Sequence, residues 1–247
     1  MSEDASALRL LLIQVRDEAS CADHELACMM DHFDLDISRI DRANVVLEGS
    51  PDWSRVERAD AVIIGGAGDH SVTKRYDYDG ELEELTKRMT GENVPLFGSC
   101  YGHQFIARSL GGEVITDHDR AEVGVAPITL TDAGVGDDIF GSLGETEFDT
   151  LVGHHDRVSA LPDGAVELAY NDVCRNQAFK VDGTMVYGTQ FHAEMTPGRL
   201  IERLETHRHY MPDDNEFDGL KGNLRPTPIT ALILGRFLER VAGSLGV

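Results

Sequence analysis

The sequence predicts an α/β fold: a mostly parallel central sheet with helices on both faces and an antiparallel extension. Three observations carry this. Short apolar runs such as Leu10–Ile13 and Ala61–Ile64 read as strands buried on both faces. In the first half, such runs alternate with segments of helical spacing, which indicates parallel strands linked by crossovers. In the second half they follow one another too closely for intervening helices, which favours antiparallel pairing.

Taken in order, residues 8–15 form a first buried strand, and a helix covers 20–33 with Cys21 and Cys28 as packing residues. Strand-like runs at 35–40 and 60–65 precede a helix at 80–91. Val94-Pro95-Leu96-Phe97-Gly98-Ser99 is a strand, and Phe105, Ile106, Ser109 and Leu110 carry the spacing of a helix at 101–111. Further strands are expected at 113–117, 125–131, 147–153, 165–170, 177–181 and 184–191, then a helix at 197–208. Residues 205–227 lack periodicity and contain Pro212, Gly219, Gly222 and Pro226, so a loop excursion is expected there, either a lid, a partner-binding loop or an idle surface segment. Arg225-Pro226-Thr227-Pro228 then opens a C-terminal helix at 228–243, with Ile229, Leu232, Ile233, Phe237, Leu238 and Val241 as its apolar face. No repeat or linker interrupts the chain, so residues 1–247 are expected to form a single domain.

Composition narrows the function classes. The net charge is −22, from 44 acidic against 22 basic residues, which argues against non-specific binding to nucleic acid or an anionic membrane. Lysine occurs only at Lys74, Lys87, Lys180 and Lys221, so the surface is mostly solvated carboxylate. The four cysteines show no Cys-x-x-Cys spacing, so neither a zinc site nor a redox pair is signalled. No run reaches membrane-spanning length, and the apolar start is too short and too acidic in its flank for a signal peptide. A reducing cytoplasm is the expected compartment.

The most informative phrase is Gly98-Ser99-Cys100-Tyr101-Gly102, between a strand and a helix. That is the pattern of a nucleophile elbow carrying cysteine. A turn this sharp strains the central residue and crowds its neighbours, so glycines flank it. It also sets the thiol at a helix N-terminus, where the dipole favours thiolate. The same string also fits a Gly-rich turn around an inert, buried cysteine, so partners elsewhere decide. Thr184–Phe191 reads as a strand ending in His192-Ala193-Glu194. A cysteine nucleophile needs a base, and the base needs a group that fixes its tautomer; His192 and Glu194 suit those roles.

Four stretches, in order, then carry a resemblance. Ala61-Val62-Ile63-Ile64-Gly65-Gly66-Ala67 resembles a strand ending in Gly-Gly-Pro, and Gly98 to Gln104 resembles Gly-x-Cys-x-Gly-x-Gln. Gly153-His154-His155-Asp156-Arg157-Val158 resembles Ser-His-Gly-Asp-x-Val, and Gln190-Phe191-His192-Ala193-Glu194 resembles Gln-Phe-His-Pro-Glu. Over residues 8–200 the chain resembles the class I (triad-type) glutamine amidotransferases, in pattern most like the glutaminase half of GMP synthetase and its stand-alone relatives. Ala67 and Ala193 replace prolines of the pattern, and His155 replaces a glycine beside the expected substrate amine.

The resemblance implies a flavodoxin-like three-layer fold and no cofactor. It implies a substrate that is glutamine or another γ-glutamyl compound, attacked by Cys100 with His192 as base and Glu194 orienting it. The residue after an elbow nucleophile supplies an oxyanion N–H, here Tyr101; the resemblance adds Gly66 as the second donor. It also places Gln104 and the 154–156 loop at the substrate's polar end, with Asp156 accepting from the ammonium group. Two other readings of His154-His155-Asp156 stay open: a polar turn between strands and, more weakly, a metal site. His207 and His209 are expected to be solvated. Because no Ser-Gly-Gly-x-Asp-Ser or Gly-x-x-x-x-Gly-Lys-Ser/Thr loop is present, ammonia is expected to go to a separate synthetase subunit unless the protein acts alone. The alternatives are a γ-glutamyl peptidase using the same residues, which needs an open pocket beyond the δ-carbon, and a non-catalytic regulatory module.

Overall fold

The computed structural model describes residues 5–208, 211 and 213–246. Strands are β1 (Leu10–Val15), β2 (Ile40–Asn44), β3 (Ala61–Ala67), β4 (Leu96–Ser99), β5 (Glu113–Thr116), β6 (Glu122–Leu130), β7 (Glu147–His154), β8 (Asp156–Ala160), β9 (Ala165–Tyr170), β10 (Ala178–Val181) and β11 (Val186–Thr189). Helices are α1 (Ala19–Met30), α2 (Val45–Glu48), α3 (Trp53–Glu57), α4 (Asp79–Gly91), α5 (Tyr101–Ser109), α6 (Asp132–Val135), α7 (Pro197–Thr206), α8 (Asp214–Asn223) and α9 (Ile233–Leu245).

The main sheet has nine strands in the order β2-β1-β3-β4-β11-β10-β9-β6-β7. The first five run parallel, and the pairs β11/β10, β10/β9, β9/β6 and β6/β7 are antiparallel. This is the flavodoxin-like three-layer arrangement with an antiparallel extension. A second, two-stranded sheet joins β5 and β8.

Period-two alternation divides the core between the two faces of the sheet. Leu10, Leu12, Ala61, Ile63, Phe97 and Tyr187 pack with Leu26 and Met29 of α1 and with Phe237, Leu238 and Val241 of α9. Their neighbours Leu11, Ile13, Val62, Ile64, Leu96 and Val186 point the other way, onto Leu82 and Met89 of α4 and Phe105 and Ile106 of α5. Strands buried on both faces must be apolar at every position, which is why the parallel strands read as unbroken runs.

Four sequence expectations need correction. The excursion over 205–227 contains α8, a helix of ten residues capped by Asp213, whose carboxylate accepts from Asn215 and Glu216 N–H. Gly219 and Gly222 weaken its helical signal, yet Asp213 with Glu216 three positions later is the spacing of an N-terminal capping box. The last helix starts at Ile233 and runs to Leu245, after a short 3₁₀ turn over Thr230–Leu232. The strand expected at 35–40 lies at Ile40–Asn44, because Asp36 caps a 3₁₀ turn by accepting from Ser38 N–H. His207 is buried, its Nε2 3.2 Å from Cys21 Sγ, rather than solvated; His209 lies outside the described residues. Strand β8 is an addition that the sequence pattern does not anticipate.

Helix α9 covers one face through Phe237, which is fully buried and meets Phe97 at 5.4 Å between ring centroids. Phe237→Ala is expected to lower unfolding free energy by about 3–5 kcal/mol, read from denaturant midpoints; a loss below about 1 kcal/mol would show that α9 does not close this core.

Candidate active site

Parallel pairing of β4 with β11 sets Ser99 opposite Thr189, so the two chains leave the sheet side by side. After Ser99, the backbone turns sharply into α5, and Cys100 takes φ 49° and ψ −98°. That conformation is strained for a residue with a side chain. Its N–H is held by Thr189 C=O at 2.8 Å, and its C=O accepts from Gln104 N–H at 3.1 Å. The flanking glycines are sterically required. A Cβ on Gly98 would lie 2.5 Å from the Gly102 carbonyl carbon, and one on Gly102 would lie 2.1 Å from Ile64 O.

On the neighbouring strand end, His192 N–H donates to Leu151 O at 2.9 Å, which ties the residue to β7. His192 Nδ1 lies 2.7 Å from Glu194 Oε1, and Ser99 Oγ donates to Glu194 Oε2 at 2.6 Å. Glu194 is wholly buried, so these two contacts fix both of its oxygens. With Nδ1 on the carboxylate, Nε2 faces the opposite way, toward Gly153, whose carbonyl also lies 4.0 Å from Cys100 Sγ. The thiol and imidazole thus converge on the same residue, and Gln190 Nε2 approaches the sulfur at 3.8 Å.

Gly66 closes this cluster from β3. A Cβ there would sit 3.4 Å from His192 Cε1 and 3.9 Å from Cys100 Cβ. The pairing of β1 with β3 shifts register between Ile13/Ile64 and Val15/Ala67, so Gly65 and Gly66 bulge at the strand end. Gly65 makes room for the buried Arg16–Glu25 ion pair: its Cβ would fall 2.5 Å from Glu25 Oε1.

This constellation invites comparison with known proteins. The family model for class-I glutamine amidotransferases matches residues 29–206. The chain belongs to the class-I glutamine amidotransferase family. It is 31% identical over 183 residues to a GMP synthase [glutamine-hydrolyzing] of Shewanella pealeana, covering 72% of this chain and 33% of that protein. Against the corresponding Shewanella baltica (strain OS155) enzyme it is 38% identical over 119 residues, covering 46% of this chain and 22% of that one. The chain therefore spans about a third or less of the length of these curated relatives. Among solved structures, a glutamine amidotransferase from Thermotoga maritima superposes with TM-score 0.70 at 18% identity, covering 95% of this chain and 98% of that one. A glutamine amidotransferase from Methylobacillus flagellatus gives TM-score 0.65 at 21% identity, covering 95% of this chain and 92% of that one. At those identities the likeness shows the shared fold.

In this amidotransferase-family chain, the residues expected at the substrate's polar end gather at one cleft. It is lined by Ala67, Gly68, Cys100, Tyr101, Gln104 and the 153–156 loop. That loop is the corner between β7 and β8, with only His155 outside the strands. Gln104 is more constrained than expected. Its Nε2 donates to Asp156 O at 2.7 Å and Gln190 Oε1 at 3.1 Å, so both amide hydrogens are taken within the protein. Asp156 is buried, with Thr116 Oγ1 donating to Oδ1 at 2.6 Å and Ser71 Oγ to Oδ2. Each carboxylate oxygen keeps a further acceptor site.

The two histidines of the loop diverge. His154 is buried with Nε2 3.3 Å from Glu122 Oε2, while the His155 side chain is exposed and stacks on His118 at 5.2 Å. They therefore do not share a metal with Asp156. His154 instead joins Glu122 and Cys174, whose possible ligand atoms lie within 4.8 Å of one another. Both Glu122 oxygens, however, already accept from Asn171 and Gln177 at 2.7 Å.

Sequence reasoning gives no role to Ser99, Gln190, Ser71 or Thr116. Ser99 sits beside Cys100, and Gln190 lies two residues before His192, so proximity in sequence is the available signal. Ser71 and Thr116 come from distant segments and carry no such mark.

Cys28 and Cys174 are each pushed up to about 12 by burial, which keeps them as inert thiols. His192 is raised: burial opposes its charge, but Glu194 and then Cys100 outweigh that. Glu194 is lowered: burial again opposes the charge, and His192 and then Ser99 overcome it. A depressed carboxyl contributes stability that is full above about pH 4.3 and disappears as pH falls through its folded value. A raised imidazole contributes stability that is full below about pH 6.5 and disappears as pH rises through its folded value. The pair therefore stabilises most between those limits. His192→Gln is expected to flatten the fall in stability between pH 6.5 and about pH 10, measured by denaturant midpoints; an unchanged slope would show that the ion pair does not exist.

Proposed function

We propose that Cys100, His192 and Glu194 form a catalytic triad that hydrolyses the side-chain amide of glutamine and releases ammonia. The observation that carries this is the set of contacts Ser99–Glu194–His192 beside an elbow cysteine that lines a cleft. His192 takes the Cys100 proton, and the thiolate attacks the δ-carbonyl. Negative charge on the oxygen is received by the backbone N–H groups of Tyr101 and Gly66. Tyr101 is the first residue of α5, where the N–H has no partner within the helix. Collapse of the intermediate breaks the C–N bond, and the departing nitrogen takes the proton from His192. Water then adds to the thioester with His192 as base, releasing glutamate and restoring the thiol. Gln190 supports the thiolate through its amide N–H, and Gln104 orients Gln190.

The curated relatives are named as glutamine-hydrolysing GMP synthases and are more than twice as long as this chain, so a separate synthetase is the proposed recipient of the ammonia. No described helix is long and apolar enough to cross a membrane. A second reading, cleavage of γ-glutamyl conjugates by the same triad, is favoured by a second pocket, lined by His192, that borders the cleft over Cys100.

A glutamine-like chloroketone is expected to label Cys100 and inactivate the protein, with glutamine protecting and Cys100→Ala abolishing the label; mass mapping to Cys21, Cys28 or Cys174 would refute the assignment. Ser99→Ala is expected to reduce kcat about 10–100-fold with little change in KM, as befits loss of a hydrogen bond to a buried carboxylate. An unchanged kcat would show that Glu194 needs no such support.

A further inference from the structure

A pocket of about 420 Å³ opens on the imidazole side of the site, lined by His192, Met195, Leu200, Arg203, Leu204 and Met211 among others. It shares Ala67, Gly68, Gly153, His154 and His155 with the cleft over Cys100, so the two spaces adjoin. Cys100 lines the first and His192 the second. An amide whose carbonyl meets the sulfur, and whose nitrogen takes its proton from His192, would carry its nitrogen substituent on the imidazole side, where this second space lies. Glutamine has only hydrogens there and would leave it empty. The volume falls within the range of pockets that hold small organic ligands.

The lining says what kind of substituent fits. Val123, Leu151, Met195, Leu200 and Leu204 make it largely apolar. Arg203 supplies a buried positive charge, 9% exposed, which forms no ion pair with any carboxylate among the described residues. Its Nε and Nη2 face only a ring nitrogen, His24 Nδ1, at 3.3 and 3.2 Å. The buried carboxylates nearest in charge, Glu25 and Glu194, are committed to Arg16 and His192. A guanidinium buried without a counter-charge is unfavourable, so an incoming carboxylate would be received strongly.

We propose that this pocket is a leaving-group site and that the protein cleaves γ-glutamyl conjugates of apolar amino acids, with the conjugate's α-carboxylate held by Arg203. This rests on the triad reading of Cys100, His192 and Glu194. The S–C bond forms as the γ-glutamyl C–N bond breaks, and His192 delivers the thiol's proton to the amino acid's nitrogen. Water then cleaves the thioester to glutamate, with no redox change.

The test compares kcat/KM of the full-length protein for γ-glutamyl-leucine, γ-glutamyl-leucinamide and glutamine. The carboxylate-bearing conjugate is expected to exceed its amide by at least about tenfold, the size of one charge-assisted hydrogen bond. Arg203→Met is expected to bring that ratio close to one, and Arg203→Lys to keep part of it. Equal cleavage of the two conjugates by the native protein, or a ratio that survives Arg203→Met, would overturn the proposal. Should Arg203→Met fail to fold, Leu200→Trp at the half-buried wall reads the same pocket: both leucine conjugates should fall relative to glutamine, and unchanged relative rates would overturn it. Chloroketone labelling of Cys100 separates the two levels. Labelling with glutamine turnover but no conjugate preference overturns the pocket alone, whereas no labelling and no amide cleavage overturns the triad and the pocket together.

Discussion

The parallel pairing of β4 with β11 is the constraint on which the rest of the site depends. These strands are distant in sequence, and nothing local brings their ends together. Their register places Ser99 beside Thr189, and the hydrogen bond from Cys100 N–H to Thr189 O then locks the elbow to the segment that carries His192. A shift of one residue would turn alternate side chains to the opposite face, moving Phe97 and Tyr187 out of one core layer and Leu96 and Val186 out of the other. The two-sided core therefore enforces the register, and the register sets the chemistry.

Glu194 is the second element of that arrangement. A wholly buried carboxylate is expensive unless its oxygens are bonded, and here His192 and Ser99 each take one. Ser99 ends β4, so the carboxylate that holds His192 is itself held by the residue next to Cys100. The same economy of position appears at Gly65 and Gly66. One bulge admits the Arg16–Glu25 pair behind β3 and brings a bare backbone against Cys100 and His192 in front.

Much of this was legible in the sequence, for definite reasons. Strands buried on both faces are apolar throughout, so β1, β3 and β4 stood out, and the strained elbow demands glycines at Gly98 and Gly102. The contact between His192 and Glu194 was readable because the two lie two residues apart at a strand end. What escaped detection was tertiary or weakly patterned. The N-cap at Asp213 was obscured by Gly219 and Gly222, and β8 was hidden because it pairs only with β5 outside the main sheet. The roles of Gln104 and His154 depend on Gln190 and Glu122, neither of them adjacent in sequence. Arg203 looks like an ordinary polar position of an amphipathic helix; only the packing of α7 against α1 buries it.

Every step proposed for this site requires the sulfur of Cys100 to become acylated during turnover. Acid-quenched mixing of the protein with excess glutamine, followed by intact-mass and peptide mass spectrometry, measures this directly. The expected result is a transient mass gain of one γ-glutamyl group, confined to the peptide that contains Cys100 and missing in Cys100→Ala. Amide hydrolysis with no sulfur-bound acyl group, or an adduct on a different cysteine, would contradict it.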